Sequence, residues 1–129
     1  MSAAQHWRDT WERAWRTHDA DAVESLYAED CVFTSMPFRE PHHGAAGARA
    51  YAQWSFASEE AVECWFGEPV VDGDRATCEY WAVVRSEGVE QTIAGCAVIR
   101  FGPDDKVLEQ RDYWNLLDSR CDPPPRWGG

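Results

Sequence analysis

The chain has 129 residues, of which 44% are hydrophobic and 13% aromatic, so it suits one domain that can bury a real core. Its formal net charge of −11 repels phosphate backbones and anionic lipids, which argues against nucleic acid and membrane partners. No apolar run approaches the ~18 residues of a spanning helix, and the N-terminus lacks a signal peptide's apolar stretch, so a cytoplasmic location is expected.

The first third of the chain is predicted to be mainly helical. Three tryptophans recur every four residues along a helix from Ala4 to His18 and share one of its faces: Trp7, Trp11 and Trp15. A second, short helix follows. For this helix we expect Asp21 to be the N-cap, because Glu24 stands three positions later at the spacing of a capping box.

The rest of the chain predicts one more helix among strands. β-Branched and aromatic residues indicate a strand at Cys31–Met36, and a third helix is expected at Ala45–Ala57. Its inner face would carry Ala50, Tyr51, Trp54 and Ala57. Turn signals such as "DGD", "SEG" and "GPDD" separate the remaining strands: Ala61–Phe66, Val70–Val71, Arg75–Arg85, Val89–Phe101 and Lys106–Asn115. Helices early and strands late predict an α+β fold with the helices on one face of a curved sheet.

One domain is expected to span residues 1–118. The tail, residues 119–129, contains "DPPPRWGG" and is expected to be flexible or loosely docked. The five cysteines are an odd number and match no zinc spacing. Four of them fall in apolar, strand-like segments, so reduced thiols are expected.

The order of these elements and their local motifs resemble the nuclear transport factor 2-like superfamily, in particular its SnoaL-like, polyketide cyclase-like branch. The matching pieces are "AWRTHDADAVESLYAEDCVF", "PFREPHHGAAGARAYAQW", "DGDRATCEYWAVV", "GCAVIRF" and "KVLEQRDYW". The resemblance implies a cone-shaped, curved antiparallel sheet that wraps the long first helix and leaves a deep apolar pocket (a cystatin-like α+β barrel). The fold alone does not give the function, because the superfamily includes isomerases, cyclases, hydrolases, dehydratases and non-catalytic modules.

Strand alternation predicts which side chains line that pocket. Matching the family's register places Tyr80 and Asp112 inside, together with other inward residues of the strands and first helix: Trp11, Trp15, Phe33, Ser35, Leu108, Gln110 and Trp114. Trp54 joins them from the third helix. The opposite register would bury charged residues instead, such as Glu109 and Arg111, which costs several kcal/mol each unless they are paired.

The outward face of the sheet would then be unusually apolar, since it carries Trp81, Val83 and Tyr113. An exposed patch of this kind predicts a homodimer through the outer sheet face. Members of the family that the chain resembles commonly dimerise through that face.

SnoaL-like polyketide cyclases place one carboxylic acid in the pocket, on the last strand, and close rings without a cofactor. The resemblance puts Asp112 at or next to that position, and a shifted alignment would select Asn115 or Asp118. An acid in an apolar pocket should have a raised pKa, because desolvation disfavours its charged form. Alternatively, Asp112 is structural and accepts hydrogen bonds from Tyr80, a tryptophan N–H or a histidine.

Two related chemistries fit the sequence less well. Ketosteroid isomerases use a tyrosine and two aspartates at positions occupied here by Trp11, Ser35 and Ala97. Limonene-epoxide-hydrolase-like members need an Asp–Arg–Asp set, and no inward arginine is expected on the long strands.

His42 and His43 lie in "EPHHG", near the expected pocket mouth. They could relay a proton or hydrogen-bond a substrate, or they could be plain loop residues beside the third helix. Adjacent histidines rarely reach one ion together, so no metal site is expected. No nucleophile motif, phosphate loop or nucleotide fingerprint is present, and no cofactor is expected.

The sequence therefore predicts a cofactor-free enzyme that binds a small hydrophobic molecule. Cyclase-, isomerase- or dehydratase-type acid–base chemistry on a polyketide-like or polycyclic substrate is the hypothesis, with Asp112, His42 and His43 as catalytic candidates. The alternative is a non-catalytic hydrophobic-ligand-binding or association module of the same fold.

Overall fold

The structure is a computed structural model, and it describes residues 2–129. These residues contain three helices and seven strands. The helices are α1 Ala3–Thr17, α2 Ala20–Glu24 and α3 Gly44–Ala57. The strands are β1 Tyr27–Thr34, β2 His42–His43, β3 Ala61–Phe66, β4 Val70–Asp72, β5 Arg75–Ser86, β6 Val89–Phe101 and β7 Val107–Leu117. Within the described residues, none of the helices combines the length and apolar character that crossing a bilayer requires.

All the strands belong to one sheet, in the order β2-β1-β7-β6-β5-β3, with β4 paired to β5. The ladders are antiparallel except for β1 and β7, which run parallel, so the sheet is mixed rather than wholly antiparallel as predicted. β2 and β3 form its two ends and do not pair with each other, so the sheet does not close into a barrel. The predicted α+β class, with a curved sheet and an N-terminal helix, is confirmed.

Helix α1 buries its tryptophan face against the sheet. Ser2 caps it by accepting a hydrogen bond from the Gln5 backbone N–H at 3.0 Å, and His18 ends it in the left-handed region at φ 56°. The three predicted tryptophans are buried, and two of them pack on Phe66 of β3: Trp7 and Trp15. The i, i+4 spacing therefore identified the core face of this helix.

Two details of the short helices differ from the prediction. Asp19, and not Asp21, caps α2, because its carboxylate accepts from the Ala22 N–H at 3.0 Å and the helix begins one residue later. The core stripe of α3 is Ala48, Ala52 and Phe56. The inner face predicted from the sequence differs from this stripe by a rotation of about one residue around the helix axis. In the structure Ala50 and Ala57 are exposed and Trp54 lies at the surface.

A bulge near the start of β7 changes which residues face inward. Arg100 pairs with Glu109, but the next residue on β6, Phe101, pairs with Val107, so Leu108 has no partner on that side. Val107 consequently lies in the core, where Leu108 was expected. Beyond the bulge the predicted alternation holds.

The C-terminal tail contacts the outer face of the sheet. Trp81 on β5 donates its indole N–H to the Cys121 carbonyl at 2.8 Å, and its ring centroid lies 6.0 Å from that of Trp127. Thr92 on β6 donates to the Ser119 carbonyl at 2.7 Å. On the face predicted for dimerisation, the chain's own tail thus lies over Trp81, while Tyr113 remains 48% exposed.

Candidate active site

A cavity of about 610 Å³ lies between the concave side of the sheet and helices α1 and α3. Its walls are mainly aromatic: Trp7, Trp11, Trp15, Tyr51, Trp54, Phe56, Phe66, Tyr80 and Trp114. A cavity of this size and lining can enclose a small organic molecule. The cavity is therefore not filled by the protein's own tryptophans.

Asp112 stands in the wall of this cavity, on β7. Its Oδ2 accepts a hydrogen bond from the Tyr80 hydroxyl at 3.1 Å, and its Oδ1 accepts one from Gln110 Nε2 at 2.9 Å. Desolvation raises the pKa of Asp112 to about 7, although the hydrogen bonds from Gln110 and Tyr80 act in the opposite direction. Both protonation states of the carboxyl are therefore accessible near neutral pH.

Gln110 holds Asp112 in place from behind. Its side chain is only 1% exposed, and its Oε1 accepts two hydrogen bonds, from Trp7 Nε1 at 3.0 Å and from the Tyr27 hydroxyl at 2.6 Å. The Tyr27 hydroxyl in turn accepts from Trp11 Nε1 at 3.0 Å. Two donors on Oε1 fix the orientation of the amide, so Nε2 must face the carboxylate.

Tyr80 is a neutral donor to Asp112. Burial, the charge of Asp112 and their hydrogen bond all raise the pKa of Tyr80 well above its usual value. Its ring packs edge-on against Trp15, with the ring centroids 6.1 Å apart. The hydroxyl therefore keeps its proton at any ordinary pH and stabilises the ionised form of Asp112.

Trp114 reaches the cavity because β6 has a glycine opposite it. Gly95 pairs with Trp114, and a Cβ on Gly95 would lie 2.5 Å from the Cβ of Trp114. The indole N–H of Trp114 donates to the Ser35 carbonyl at 2.7 Å. Ser35 is thus fully buried behind the wall and positions a lining residue, but it does not line the cavity itself.

The other predicted site residues divide into two groups. Trp11, Trp15 and Trp54 line the cavity as expected. Phe33, His42 and His43 do not, although Phe33 was expected to be a wall and the histidines to lie at the mouth.

These three residues lie behind the cavity or at the surface. Phe33 stacks on Tyr27 with ring centroids 5.5 Å apart, and His42 packs between Phe33 and Tyr51. Burial, with the nearby charge of Arg39, lowers the pKa of His42. His43 is exposed at the end of β2. The two residues that a shifted alignment would select in place of Asp112 are Asn115 on β7 and Asp118 just after it, and both are exposed and outside the cavity wall.

Glu59 is a second cavity carboxyl that the sequence reasoning missed. It follows α3, and its side chain is only 8% exposed. Trp15 Nε1 donates to both oxygens, at 3.1 and 3.3 Å, and desolvation raises the pKa of Glu59 to about 7. His18 Nε2 lies 3.4 Å from Oε1 but makes no hydrogen bond. No local pattern in "ASEEAV" distinguishes this buried acid from its exposed neighbour Glu60.

Arg39 was missed as well. It lies in the loop between β1 and β2, at the rim of the cavity. Its guanidinium carbon lies 6.0 Å from the ring centroid of Trp54 and 5.5 Å from that of Trp114, within the range of a cation–π contact. Its NH1 also donates to Ser35 Oγ at 3.2 Å. Among the described residues, no group of three or more His, Cys, Asp or Glu lies together as a metal site would require.

A family model described as "SnoaL-like domain" matches residues 7–110. No curated protein sequence matches the chain significantly. Solved structures of similar fold include the epoxide hydrolase/cyclase-like enzyme SalBIII, described as having a role in pyran ring formation in polyether salinomycin. It has a TM-score of 0.77 and 17% identity over 90% of this chain and 95% of that one.

Two further neighbours have the same fold. A putative SnoaL-like polyketide cyclase from Shewanella denitrificans OS-217 has a TM-score of 0.72 and 18% identity over 86% of this chain and 89% of its own. A computationally designed 17-OHP binder has a TM-score of 0.76 and 18% identity over 91% and 98%. At these identities the likeness establishes the fold and no particular activity.

Proposed function

Since the chain belongs to the SnoaL-like domain family, we propose that it catalyses cofactor-free acid–base chemistry on a hydrophobic substrate held in the aromatic cavity. The observation that carries this proposal is the carboxyl of Asp112, which is in the cavity wall with its pKa raised to about 7. General acid–base catalysis is most effective when the pKa of the group lies near the working pH. The family's structural neighbours include cyclases and epoxide hydrolases, which is consistent with this reaction class.

The first step would be removal of a proton from a carbon next to a carbonyl. Ionised Asp112 takes the proton, the C–H bond breaks, an O–H bond forms on the carboxyl, and the electron pair moves onto the carbonyl oxygen as an enolate. Protonated Asp112 then returns the proton to another atom of the substrate. Ring closure of the aldol type, double-bond isomerisation and dehydration all share this first step, so the proposal covers these outcomes together.

The surroundings of Asp112 suit such a shuttle. Gln110 and Tyr80 donate to the two carboxylate oxygens and hold the side chain in one rotamer. The aromatic walls would hold a flat, polycyclic or polyketide-like substrate against it, which supplies the orientation that an intramolecular reaction requires. His42 and His43 have no part in this mechanism, because neither lines the cavity.

A non-catalytic hydrophobic-ligand binder is the second candidate. It is favoured by the fact that both oxygens of Asp112 already accept hydrogen bonds from the protein, as a purely structural carboxyl would. The designed 17-OHP binder of the same fold illustrates that such a cavity can bind without reacting.

The test uses β-tetralone, a flat bicyclic ketone with acidic α-protons, in deuterium oxide. Quenching of tryptophan fluorescence first establishes that the ketone binds, and proton NMR then follows loss of its α-proton signals. The protein should accelerate this exchange, and Asp112→Asn should reduce the acceleration about a hundredfold. Asp72→Asn, an exposed aspartate on β4, is the matched control and should leave the rate unchanged.

The two candidate functions give different results. An enzyme loses exchange in Asp112→Asn but keeps its affinity for β-tetralone. A binder shows fluorescence quenching but no exchange above the buffer rate, and this result would overturn the acid–base proposal.

A further inference from the structure

We propose that the ligand of this cavity is a hydrophobic amine, whose ammonium group pairs with Glu59 while its apolar body lies against the aromatic walls. The inference rests on the proposed function in using the same cavity, and it adds the chemical class of the ligand. It is carried by the position of Glu59, by the lack of a lysine or arginine paired with either cavity acid among residues 2–129, and by the aromatic walls.

Glu59 presents a carboxyl to the cavity that the protein leaves without a strong cationic partner. Within residues 2–129, no Lys or Arg nitrogen lies within 4 Å of its oxygens, and the one basic neighbour is His18, at 3.4 Å without a hydrogen bond. In the described part of the chain, the only hydrogen-bond donor to its oxygens is Trp15 Nε1. A carboxylate accepts more than one hydrogen bond on each oxygen, so acceptor sites on Glu59 remain free.

Asp112 repeats the same pattern. Its donors are the neutral groups of Tyr80 and Gln110, and no ion pair within the described residues involves it. Two acids therefore share one cavity, and within residues 2–129 neither forms an ion pair with an arginine or lysine. Burial of such a charge is unfavourable unless a cation accompanies it. A ligand that carries a positive charge would supply the missing partner.

The aromatic walls also favour a ligand with a positive charge. At the rim, the guanidinium of Arg39 already lies over the rings of Trp54 and Trp114, so the geometry that aromatic faces use for cations is realised in this cavity. The net charge of −11 also concentrates cations near the protein and repels anions. Ammonium groups, whose N–H donors can reach Glu59, combine both forms of recognition.

Arg39 would favour the opposite ligand, a hydrophobic anion. Its side chain is exposed at the rim, where solvent screens its charge, whereas the side chain of Glu59 is only 8% exposed. Because an interaction between charges strengthens as water is removed, Glu59 should determine the preference.

The pairing predicts a pH dependence. An ammonium group pairs with the ionised form of Glu59, so affinity for an amine should rise as the pH increases through about 7 and should fall again when the amine itself loses its proton. Other ionisable groups face the same cavity and could contribute: His18 at the end of α1, Arg39 at the rim, Tyr51 on α3, Tyr80 on β5 and Asp112 on β7. The test must therefore separate Glu59 from Asp112.

Three naphthalene probes of similar shape but different charge provide the test: naphthylmethylamine, naphthalene-methanol and naphthoate. Their affinities are measured by calorimetry near pH 8 on the whole chain and on Glu59→Gln, in which a side-chain oxygen remains to accept from Trp15. The amine should bind the unaltered chain about tenfold more tightly than the alcohol. Glu59→Gln should remove that difference and leave the affinity for the alcohol unchanged. Glu60→Gln, at the exposed neighbouring position, is the control and should behave like the unaltered chain.

Equal affinity for amine and alcohol, or tighter binding of naphthoate, would overturn the inference. Loss of the amine preference in Asp112→Asn but not in Glu59→Gln would overturn the assignment to Glu59. If the amine preference holds but Asp112→Asn does not slow proton exchange, the acid–base proposal fails alone. If none of the naphthalene probes binds but β-tetralone does, the amine inference fails alone. If β-tetralone does not bind either, both proposals fail.

Discussion

Replacing Asp112 with asparagine should change the stability of the protein with a sign that depends on pH. The ionised carboxylate is disfavoured in the cavity, which is why burial raises its pKa from 3.8 to about 7. In the unfolded chain the carboxyl is solvated and loses its proton near its ordinary value. Between about pH 4 and pH 7 the folded state therefore binds more protons than the unfolded state, and the free energy of unfolding falls as the pH rises.

The magnitude follows from that difference in pKa. It corresponds to roughly 4 kcal/mol of unfavourable free energy for the ionised form in the folded protein, fully expressed above about pH 7. Asparagine has no charge to desolvate, but its amide can satisfy only part of the hydrogen bonding to Gln110 and Tyr80, which costs about 1 kcal/mol. Asp112→Asn should thus be destabilising by about 1 kcal/mol at pH 4 and stabilising by about 3 kcal/mol at pH 8.

Urea unfolding followed by tryptophan fluorescence, repeated across this pH range, measures the effect. Asp72→Asn provides the baseline for loss of an exposed negative charge. If the free energies of unfolding of Asp112→Asn and of the unaltered chain differ by the same amount at every pH, the reasoning is refuted, because the carboxyl is then not desolvated. If Asp112→Asn instead becomes less stable relative to the unaltered chain as the pH rises, the pKa of Asp112 is depressed. Asp112 would then be excluded as a proton shuttle near neutral pH.

Three further outcomes are expected. Gln110→Met leaves two buried donors without their acceptor and should lower the free energy of unfolding by about 2–4 kcal/mol in urea, whereas a change near zero would mean that the hydrogen-bond chain does not contribute. Gly95→Ala places a Cβ against Trp114 and should lower the free energy of unfolding by about 1–3 kcal/mol. It should also weaken the binding of naphthalene-methanol, and unchanged affinity would show that this wall is not part of the binding site. Removing residues 119–129 uncovers Trp81 on the outer face of the sheet. If the predicted homodimer uses this face, self-association measured by sedimentation equilibrium should become stronger. Equal or weaker association would place any dimer contact elsewhere.

Periodic patterns predicted the fold because they reflect burial directly. The tryptophan series of α1 has helical spacing, and the alternation on β5 and β7 distinguishes the two faces of the sheet. One register buries a single acid on β7 and the other buries a glutamate and an arginine there, so the inward position of Asp112 could be predicted without knowing any of its contacts. The same alternation failed at Leu108, because a bulge depends on how β6 and β7 pair and leaves no signal in β7 alone.

Residues outside the periodic elements could not be placed in this way. Glu59 and Arg39 lie in connecting segments, where neighbouring residues have no fixed orientation, and they reach the cavity only because the chain folds back there. His42 and His43 were expected near the mouth only from their position in the loop before the third helix. In the structure they form β2 and do not line the cavity.

The sequence by itself determined the α+β class, the core face of α1 and the inward acid of β7, because local spacing and the cost of burying charge decide these features. The tertiary structure alone decided the parallel pairing of β1 with β7, the second cavity acid and the hydrogen bonds that aim Asp112. Gln110 receives its donors from Trp7 and Tyr27, which lie 103 and 83 residues away along the chain. Contacts between such distant residues depend on how the packed elements bring side chains together, and no local pattern records them.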